Sequence, residues 1–218
     1  MKSPDDFSIN LAYSYKNSEE LSKYYDDSAK DYDRFTESVG YVLHKRVAEK
    51  ASHLLNTLRR TEEIIDIGCG TGLLGLELGS NPQNIRIDGI DISPEMVFYA
   101  YNKKKQNGRM CYRKIYIGDI SNQNQIQKNT YSFMVSSGTF TTGHLDAGHL
   151  LKIIRMMQAD SYAVFSVKSD HFQDSGFMGQ LERLVDSELI EIIEISEVDS
   201  YENPGYTALS KIITIKIP

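Results

Sequence analysis

Residues 63–72 read Glu63-Ile64-Ile65-Asp66-Ile67-Gly68-Cys69-Gly70-Thr71-Gly72, and this stretch decides the fold. Its first half is a short apolar run rich in isoleucine, the composition of a buried strand. Three glycines at alternate positions then turn the chain, and a helix is expected over 72–79. Strand, glycine turn and helix in that order bring backbone close to a nucleotide-like ligand. Glycine is needed there because a Cβ would block the approach and because some turn positions require positive φ. Such a turn sits at the C-terminal edge of a sheet, where ligands of open α/β sheets bind.

Working outward, apolar β-type runs alternate with helix-period stretches. Strands are expected over 63–67, 85–90, 112–117, 131–136 and 161–167, with helices over 72–79, 94–106, 120–128 and 146–157. That alternation specifies a mostly parallel sheet covered by helices. Ser93-Pro94 is an N-cap followed by proline at the first helical position, Asn107-Gly108 closes that helix, and Asn81-Pro82 marks a turn. The tail departs from the pattern. A helix over 176–187 is followed by β-type runs over 189–198 and 208–217, joined by the turn-rich Asp199-Ser200-Tyr201-Glu202-Asn203-Pro204-Gly205, which predicts an antiparallel hairpin. Before residue 63 the chain reads as helical over 19–32 and 40–58, the latter with a stripe of Val42, Leu43, Val47, Ala51, Leu54, Leu55 and Leu58. The expected fold class is therefore α/β, a Rossmann-like seven-stranded sheet with a C-terminal antiparallel hairpin. Residues 1–60 form an N-terminal helical lid segment and 61–218 the ligand-binding domain, in one compact unit.

Bulk properties narrow the function. The chain has 218 residues, a hydrophobic fraction of 40%, a charged fraction of 25% and a formal net charge of −6. An acidic chain lacks the dense basic surface of a sequence-independent nucleic-acid binder, so no DNA partner is expected. The one basic cluster, Lys103-Lys104-Lys105 with Arg109, Arg113 and Lys114, reads as a solvated helix end. The two cysteines, Cys69 and Cys111, make no disulfide framework or metal motif. The start has no signal-peptide character and no run is long enough to span a bilayer, so a cytoplasmic protein without a membrane partner, monomer or homodimer, is expected.

Three acids follow three consecutive strands. Asp66 precedes the first glycine, where a carboxylate suits a cationic amine or sulfonium and would repel a pyrophosphate. Asp91, in Ile90-Asp91-Ile92-Ser93, can accept hydrogen bonds from both hydroxyls of a ribose. Asp119, in Gly118-Asp119-Ile120, can accept from an adenine amino group, with Ile92, Met96 and Ile120 placed to sandwich the ring. A single acid at a strand end is more often a helix cap; three in series after a GxGxG turn are more specific. The competing reading is NAD binding, since Gly70-Thr71-Gly72-Leu73-Leu74-Gly75 satisfies GxGxxG. Its register is wrong, because Gly75 would already lie inside the helix and Asp66 would face the pyrophosphate. No Gly-Lys-Ser/Thr of a P-loop and no Gly-x-Ser-x-Gly elbow occurs.

The run IIDIGCGTG, then GIDIS, then GDI, resembles the motif series of class I S-adenosylmethionine (SAM)-dependent methyltransferases, over about Tyr24 to Ile217. Residues 25–33 resemble the entry helix of these enzymes. Ser136-Ser137-Gly138-Thr139-Phe140-Thr141-Thr142-Gly143-His144 and Phe165-Ser166-Val167-Lys168, with Gly176-Phe177, are similar to the Williams–Beuren syndrome region type of methyltransferase. The resemblance implies SAM as cofactor and S-adenosylhomocysteine (SAH) as product. It implies that Gly68, Cys69, Gly70 and Gly72 line the methionine part, that Asp66 stands near its amino group, and that Asp91 holds the ribose and Asp119 the adenine. It also places Ser137 beside the transferable methyl. The usual Pro-Gly-Gly before the fifth strand is replaced by Gln158-Ala159-Asp160-Ser161, away from the expected site.

Methyl transfer from a sulfonium is a direct displacement, so alignment supplies much of the catalysis and a base is needed only for a protonated nucleophile. Neither Asn-Pro-Pro-Tyr nor Pro-Cys follows the fourth strand, which argues against DNA adenine and cytosine C5 chemistry. His144 is the first candidate base, with His149 and His171 behind it; each is otherwise a solvated loop residue or helix cap. His44 and His53 read as structural, and no trio has metal-ligand spacing. Tyr24, Tyr25 and Tyr32 can close over the ligand as an aromatic lid that attracts a sulfonium, or pack as a plain aromatic stripe. The acids Asp26, Asp27, Asp31 and Asp33 read as a solvated face, or else as a surface that favours a cationic substrate. The function expected is methyl transfer from SAM to oxygen or nitrogen of a small-molecule acceptor. An RNA or protein methyltransferase, a non-catalytic SAM-binding module and an NAD oxidoreductase are the alternatives.

Overall fold

The isoleucine run that ends in glycine becomes the central strand of a seven-stranded sheet. The computed structural model of the protein describes residues 12, 14, 15, 17–58, 62–79, 85–122 and 126–218. The turn expected at Asn81-Pro82 lies outside them. In chain order the elements are α1 (Ser18–Ser38), α2 (Leu43–Leu58), β1 (Glu63–Ile67), α3 (Leu73–Leu78), β2 (Arg86–Asp91), α4 (Pro94–Asn102), β3 (Lys114–Ile117), β4 (Tyr131–Phe140), α5 (Leu150–Ile154), β5 (Met157–Lys168), α6 (Ser169–Asp174), α7 (Phe177–Asp186), β6 (Glu191–Asp199) and β7 (Leu209–Ile217). Short 3₁₀ turns cover Ile120–Asn122 and Ala147–His149.

The strand order is β3-β2-β1-β4-β5-β7-β6. Strands β1 to β5 pair in parallel, and β7 runs antiparallel between β5 and β6, as the hairpin reading required. From β1 the chain steps outward through β2 and β3, then returns to β4 on the other side of β1. The order therefore reverses at the β1/β4 boundary, where a crevice opens beyond the strand ends.

Neighbouring residues of a strand point to opposite faces, and β1 and β4 show it. Ile64 and Val135 join one core with Val47, Ala51 and Leu55 of α2 and Leu74 and Leu78 of α3. Ile65 and Met134 join the other, with Phe140, Phe165, Phe177 and Leu181. The stripe on α2 thus packs into the sheet's own core, and the boundary expected at residue 60 divides the chain in sequence but not in packing. The N-terminal element that reaches the strand ends is α1.

Several boundaries differ from the sequence reading. The helix expected over 94–106 stops at Asn102 because residues 103–111 fold into a tight hairpin: Lys104 bridges Met110, and the Lys105 N–H donates to the Arg109 carbonyl at 2.8 Å. Lys103, Lys104, Lys105 and Arg109 of the basic cluster thus lie on a hairpin and not on a helix end, while Lys114 opens β3. Of the helix expected over 120–128, residues 120–122 form a 3₁₀ turn and 126–128 are not helical. The helix expected over 146–157 ends at Ile154 because Met157 already pairs with Tyr131 in the sheet. Strand β4 runs on to Phe140 through a register shift after Ser136. Caps hold where their chemistry is local: the Ser93 hydroxyl accepts from the Met96 N–H at 3.0 Å, one residue before Pro94. A buried acid absent from the sequence reading, Asp88 on β2, is satisfied by a bidentate Arg113 at 2.7 and 2.9 Å and by the Tyr131 hydroxyl at 2.9 Å.

Candidate active site

At the end of β1 the chain takes three left-handed glycine turns, with φ of +68° at Gly68, +53° at Gly70 and +90° at Gly72. Gly68 shows why glycine is required, and Gly70 shows where the loop is open. A Cβ on Gly68 would lie 2.3 Å from Thr139 Oγ1, so the loop can approach β4 only without one. A Cβ on Gly70 would meet nothing within 4 Å: this backbone borders open space. The loop is tied to β2, with the N–H groups of Gly68 and Cys69 donating to the Ile90 carbonyl at 2.9 and 3.0 Å.

That open space is a cavity of about 300 Å³ at the β1/β4 crevice. Of the residues singled out in the sequence, Tyr32, Gly68, Gly70, Asp91, Ile92, Met96, Asp119, Ile120, Ser137 and His144 line it. Asp91 is held by backbone, accepting from Gly70 N–H at 2.7 Å and Ser93 N–H at 3.0 Å. Burial pushes its carboxyl up, against the pull of these bonds. Asp119 accepts from the Ser121 N–H at 2.7 Å.

Four expected lining residues lie elsewhere. Tyr24 is buried with Ala12 and Leu21, its ring 5.5 Å from that of Tyr15, and Tyr25 lines the cavity in its place. Adjacent helical residues point about 100° apart, so only one of the two tyrosines can face the crevice. Cys69 packs beneath the sheet, where a Cβ on Gly89 would lie 2.9 Å from its Sγ, and burial pushes its thiol up. Gly72 precedes α3 beside Tyr112 and Ala100.

Asp66 is the fourth, fully enclosed beneath the loop. Its Oδ2 accepts from the Tyr112 hydroxyl at 2.6 Å, and that hydroxyl in turn accepts from the Gly75 N–H at 3.1 Å. Nothing local in the sequence marks Tyr112 for this role. Burial pushes the Asp66 carboxyl from 3.8 up to about 7, with Tyr112 opposing and Asp91 adding to the rise. Its folded pKa lies above the unfolded one, so the folded state holds the extra proton between about 4 and 7. Stability is then greatest on the acid side and falls as pH rises through that window, by roughly 2–4 kcal/mol. Urea unfolding at pH 5 and pH 8 should show that fall in the wild type and its absence in Asp66→Asn; parallel pH profiles would refute it.

Helix α1 covers the crevice and is pinned by the acids read from the sequence as a solvated face. Asp33 accepts from the Thr71 hydroxyl at 2.5 Å and pairs with Lys103. Asp26 accepts from the Ser93 hydroxyl at 2.6 Å and the Glu95 N–H at 3.1 Å, and Ser22 donates to the Ile92 carbonyl at 3.0 Å. Only Asp31 of that run pairs within the helix, with Arg34 at 2.7 Å.

The three candidate histidines separate. His144 meets α1, its Nε2 2.7 Å from the Tyr25 hydroxyl and its Nδ1 3.1 Å from the Thr142 carbonyl. A carbonyl only accepts, so Nδ1 carries the proton and Nε2 accepts from Tyr25. Burial holds the His144 ring below the usual histidine range, with His171 adding to it and the Thr142 carbonyl opposing. His149 lines the cavity near Asp119, while His171 does not line it. Among the described residues no group of three or more metal-ligating side chains occurs, and no helix is long and apolar enough to cross a membrane.

Residues 58–202 match the family model for a methyltransferase domain. The chain belongs to that family, the class I SAM-dependent methyltransferases. The methyltransferase is 27% identical over 149 residues to a malonyl-[acyl-carrier protein] O-methyltransferase of Acetivibrio thermocellus, across 67% of this chain and 48% of that protein. It thus covers about half the length of that relative. Its fold superposes on magnesium protoporphyrin IX methyltransferase of Synechocystis PCC 6803 with bound SAM, at TM-score 0.65 and 15% identity, covering 92% of this chain and 97% of that one. It also superposes on the [4+2]-cyclase SpnF, at TM-score 0.68 and 14% identity, covering 94% and 98%. SAM is the cofactor of the family, and the residues present fit it. Ser137 Oγ, at the cavity, and Asp66 Oδ1, beneath the glycine loop, are buried without a hydrogen-bond partner among the described residues, and Gly70 leaves the loop backbone open.

Proposed function

We propose that this methyltransferase moves a methyl group from SAM to an oxygen or nitrogen of a small-molecule acceptor and releases SAH. The observation that carries the reading is that Asp91, Asp119, Ser137 and His144 line one cavity. In this reading Asp91 holds the ribose and Asp119 the adenine amino group, with Ile92, Met96 and Ile120 around the ring. Gly68 and Gly70 take the methionine part, and Asp66, enclosed outside the cavity lining, bears on its amino group only through the loop that it braces with Tyr112. When bound, SAM supplies an electrophilic methyl on a sulfonium. The chain's own residues align the partners and exclude water under α1, with Tyr25 and Tyr32 as the aromatic face of that lid. His144 holds a neutral ring whose Nε2 is engaged by Tyr25. An acceptor hydroxyl or ammonium that displaces the phenol there meets a base ready for its proton.

The acceptor class draws support from the Acetivibrio relative and the Synechocystis neighbour, both named for acceptors other than nucleic acid. None of the cations on the 103–111 hairpin lines the cavity, which favours a small acceptor over RNA. We further read the chain as the Williams–Beuren syndrome region type, on the residues 136–144 that carry Ser137, Thr139 and His144. Residues 1–60 are read as the lid segment, acting through α1, and 61–218 as the SAM-binding domain.

The test is a calorimetric titration of the protein with SAH, with NAD as control, followed by an acceptor screen with methyl-labelled SAM. Micromolar binding of SAH without NAD binding, and label in a small molecule, is expected. Binding of NAD alone would overturn the reading.

A further inference from the structure

Helix α4 gives one face to the site and leaves the other bare. Met96, Val97 and Ala100 are buried, whereas Phe98 and Tyr101, three residues apart on the outer face, are 60% and 56% exposed. They are the two most exposed large hydrophobic side chains among the described residues. The patch continues past the helix. Lys104 bridges Met110 in the following hairpin, and cross-strand partners leave the same face, so a 43% exposed methionine stands beside Lys104. Strand β3, on which α4 packs, adds Ile117 at 51% exposure. Ile117 shares a strand face with Ile115, which packs against the core that holds Ala100. Because β3 is the outermost strand on that side, no further strand covers this edge.

Positive charge gathers at the same edge. Among the described residues Lys104, Lys105 and Arg109 form no ion pair, while the flanking Lys103 pairs with Asp33 and Arg113 with Asp88 and Glu63. Lys105 and Arg109 leave the hairpin face opposite Lys104, but paired strands lie only about 5 Å apart. All three cations therefore stand within roughly one 10 Å Debye length of Met110. The single acid of α4, Glu95, sits at the helix's far end. A charged surface meeting this edge feels those cations more than the net charge of −6. A second copy of the chain fits the edge poorly, because a two-fold axis would set cation against cation. Single-stranded nucleic acid fits it poorly too: that ligand wants a groove lined with stacking rings. Met110 and Ile117 have no ring, and the hairpin tip stands open, since a Cβ on Gly108 would meet nothing within 4 Å. An anionic lipid surface uses every part, with rings and aliphatic chains entering the headgroup boundary and cations drawing on the headgroups.

We propose that the outer face of α4 and the 103–111 hairpin form a peripheral docking surface for an anionic lipid bilayer. Spanning length gives no reason to expect a membrane partner, yet a protein can lie on a bilayer without crossing it. The surface is separate from the cavity and stands whatever the acceptor is.

The chain contains no tryptophan, so Phe98→Trp sets a single fluorescent reporter on the patch while keeping a large apolar ring. The full chain carrying it is titrated with phosphatidylcholine vesicles and with vesicles of equal parts phosphatidylcholine and phosphatidylglycerol. With the mixed vesicles the emission should move to shorter wavelength and be quenched by lipids brominated on their acyl chains. Neutral vesicles should bind at least about tenfold more weakly. Adding Lys104→Ala and Arg109→Ala together should weaken binding to the mixed vesicles about 30-fold, since each cation near an anionic leaflet contributes about fivefold. Tyr101→Ala should weaken it about tenfold. All these side chains are exposed, so thermal midpoints should stay with the parent's. Cosedimentation of the unsubstituted chain with both vesicle types repeats the comparison without a variant. Equal binding to the two vesicle types, or binding to neither, overturns the proposal. So does an emission change produced by oligouridylate and not by vesicles, or self-association at this edge without vesicle binding.

Discussion

Replacing Asp91 by alanine is expected to raise the Kd for SAH about 300-fold while leaving the chain folded. The carboxylate stands at the end of β2, held by the Gly70 and Ser93 N–H groups. Each oxygen keeps a lone pair for one ribose hydroxyl, and a hydrogen bond to a charged group contributes about 1.5–3 kcal/mol. Two such bonds, lost together, come to about 3.5 kcal/mol, and each 1.4 kcal/mol is tenfold in Kd. Alanine also frees the Gly70 N–H that Asp91 now holds, loosening the loop on its open side. Asp91→Asn keeps one acceptor oxygen and should lose about tenfold less than alanine. Calorimetric titration decides it: a Kd within about threefold of wild type would remove Asp91 from the ribose.

The second large effect is expected on turnover. His144→Ala should lower kcat about 100-fold with an acceptor found in the screen, the usual scale for a lost general base. The Kd for SAH should stay within about twofold, because His144 meets Tyr25 of the lid and not Asp91 or Asp119. The pH profile gives the sign. Burial holds the ring below its usual range, so the wild-type rate should rise with pH through a value under 6.5 and then level off. His144→Ala should lose that acid limb. Tyr25→Phe should keep it, because the phenol only occupies Nε2 until the acceptor arrives. An unchanged acid limb in His144→Ala would exclude the ring as the base.

Legibility divides by how local the signal is. The strand 63–67, the glycine turn and the acids at the ends of β1 and β2 and after β3 were readable because β-branching, positive φ and strand-end position are properties of a few contiguous residues. The Ser93-Pro94 start of α4 was readable for the same reason. Helix ends were less so. Asn102 ends α4 because a hairpin pairs Lys104 with Met110, and Ile154 ends α5 because Met157 is claimed by Tyr131 in the sheet. Which of Tyr24 and Tyr25 faces the crevice turns on the rotation of α1, which Asp26 and Asp33 fix against residues far along the chain.

By itself the sequence determined the α/β alternation, the glycine turn at the sheet's edge, the three acids and hence the family. Those signals are periodicities and backbone needs that a short window carries. The tertiary structure alone decided that Asp66 is sealed against Tyr112 46 residues away. It alone decided that His144 meets Tyr25 across 119 residues, and that His149 turns to Ser121 across 28. Such contacts depend on how helices seat on the finished sheet. Their energy comes from burial and hydrogen-bond geometry that exist only once the distant segments are packed together.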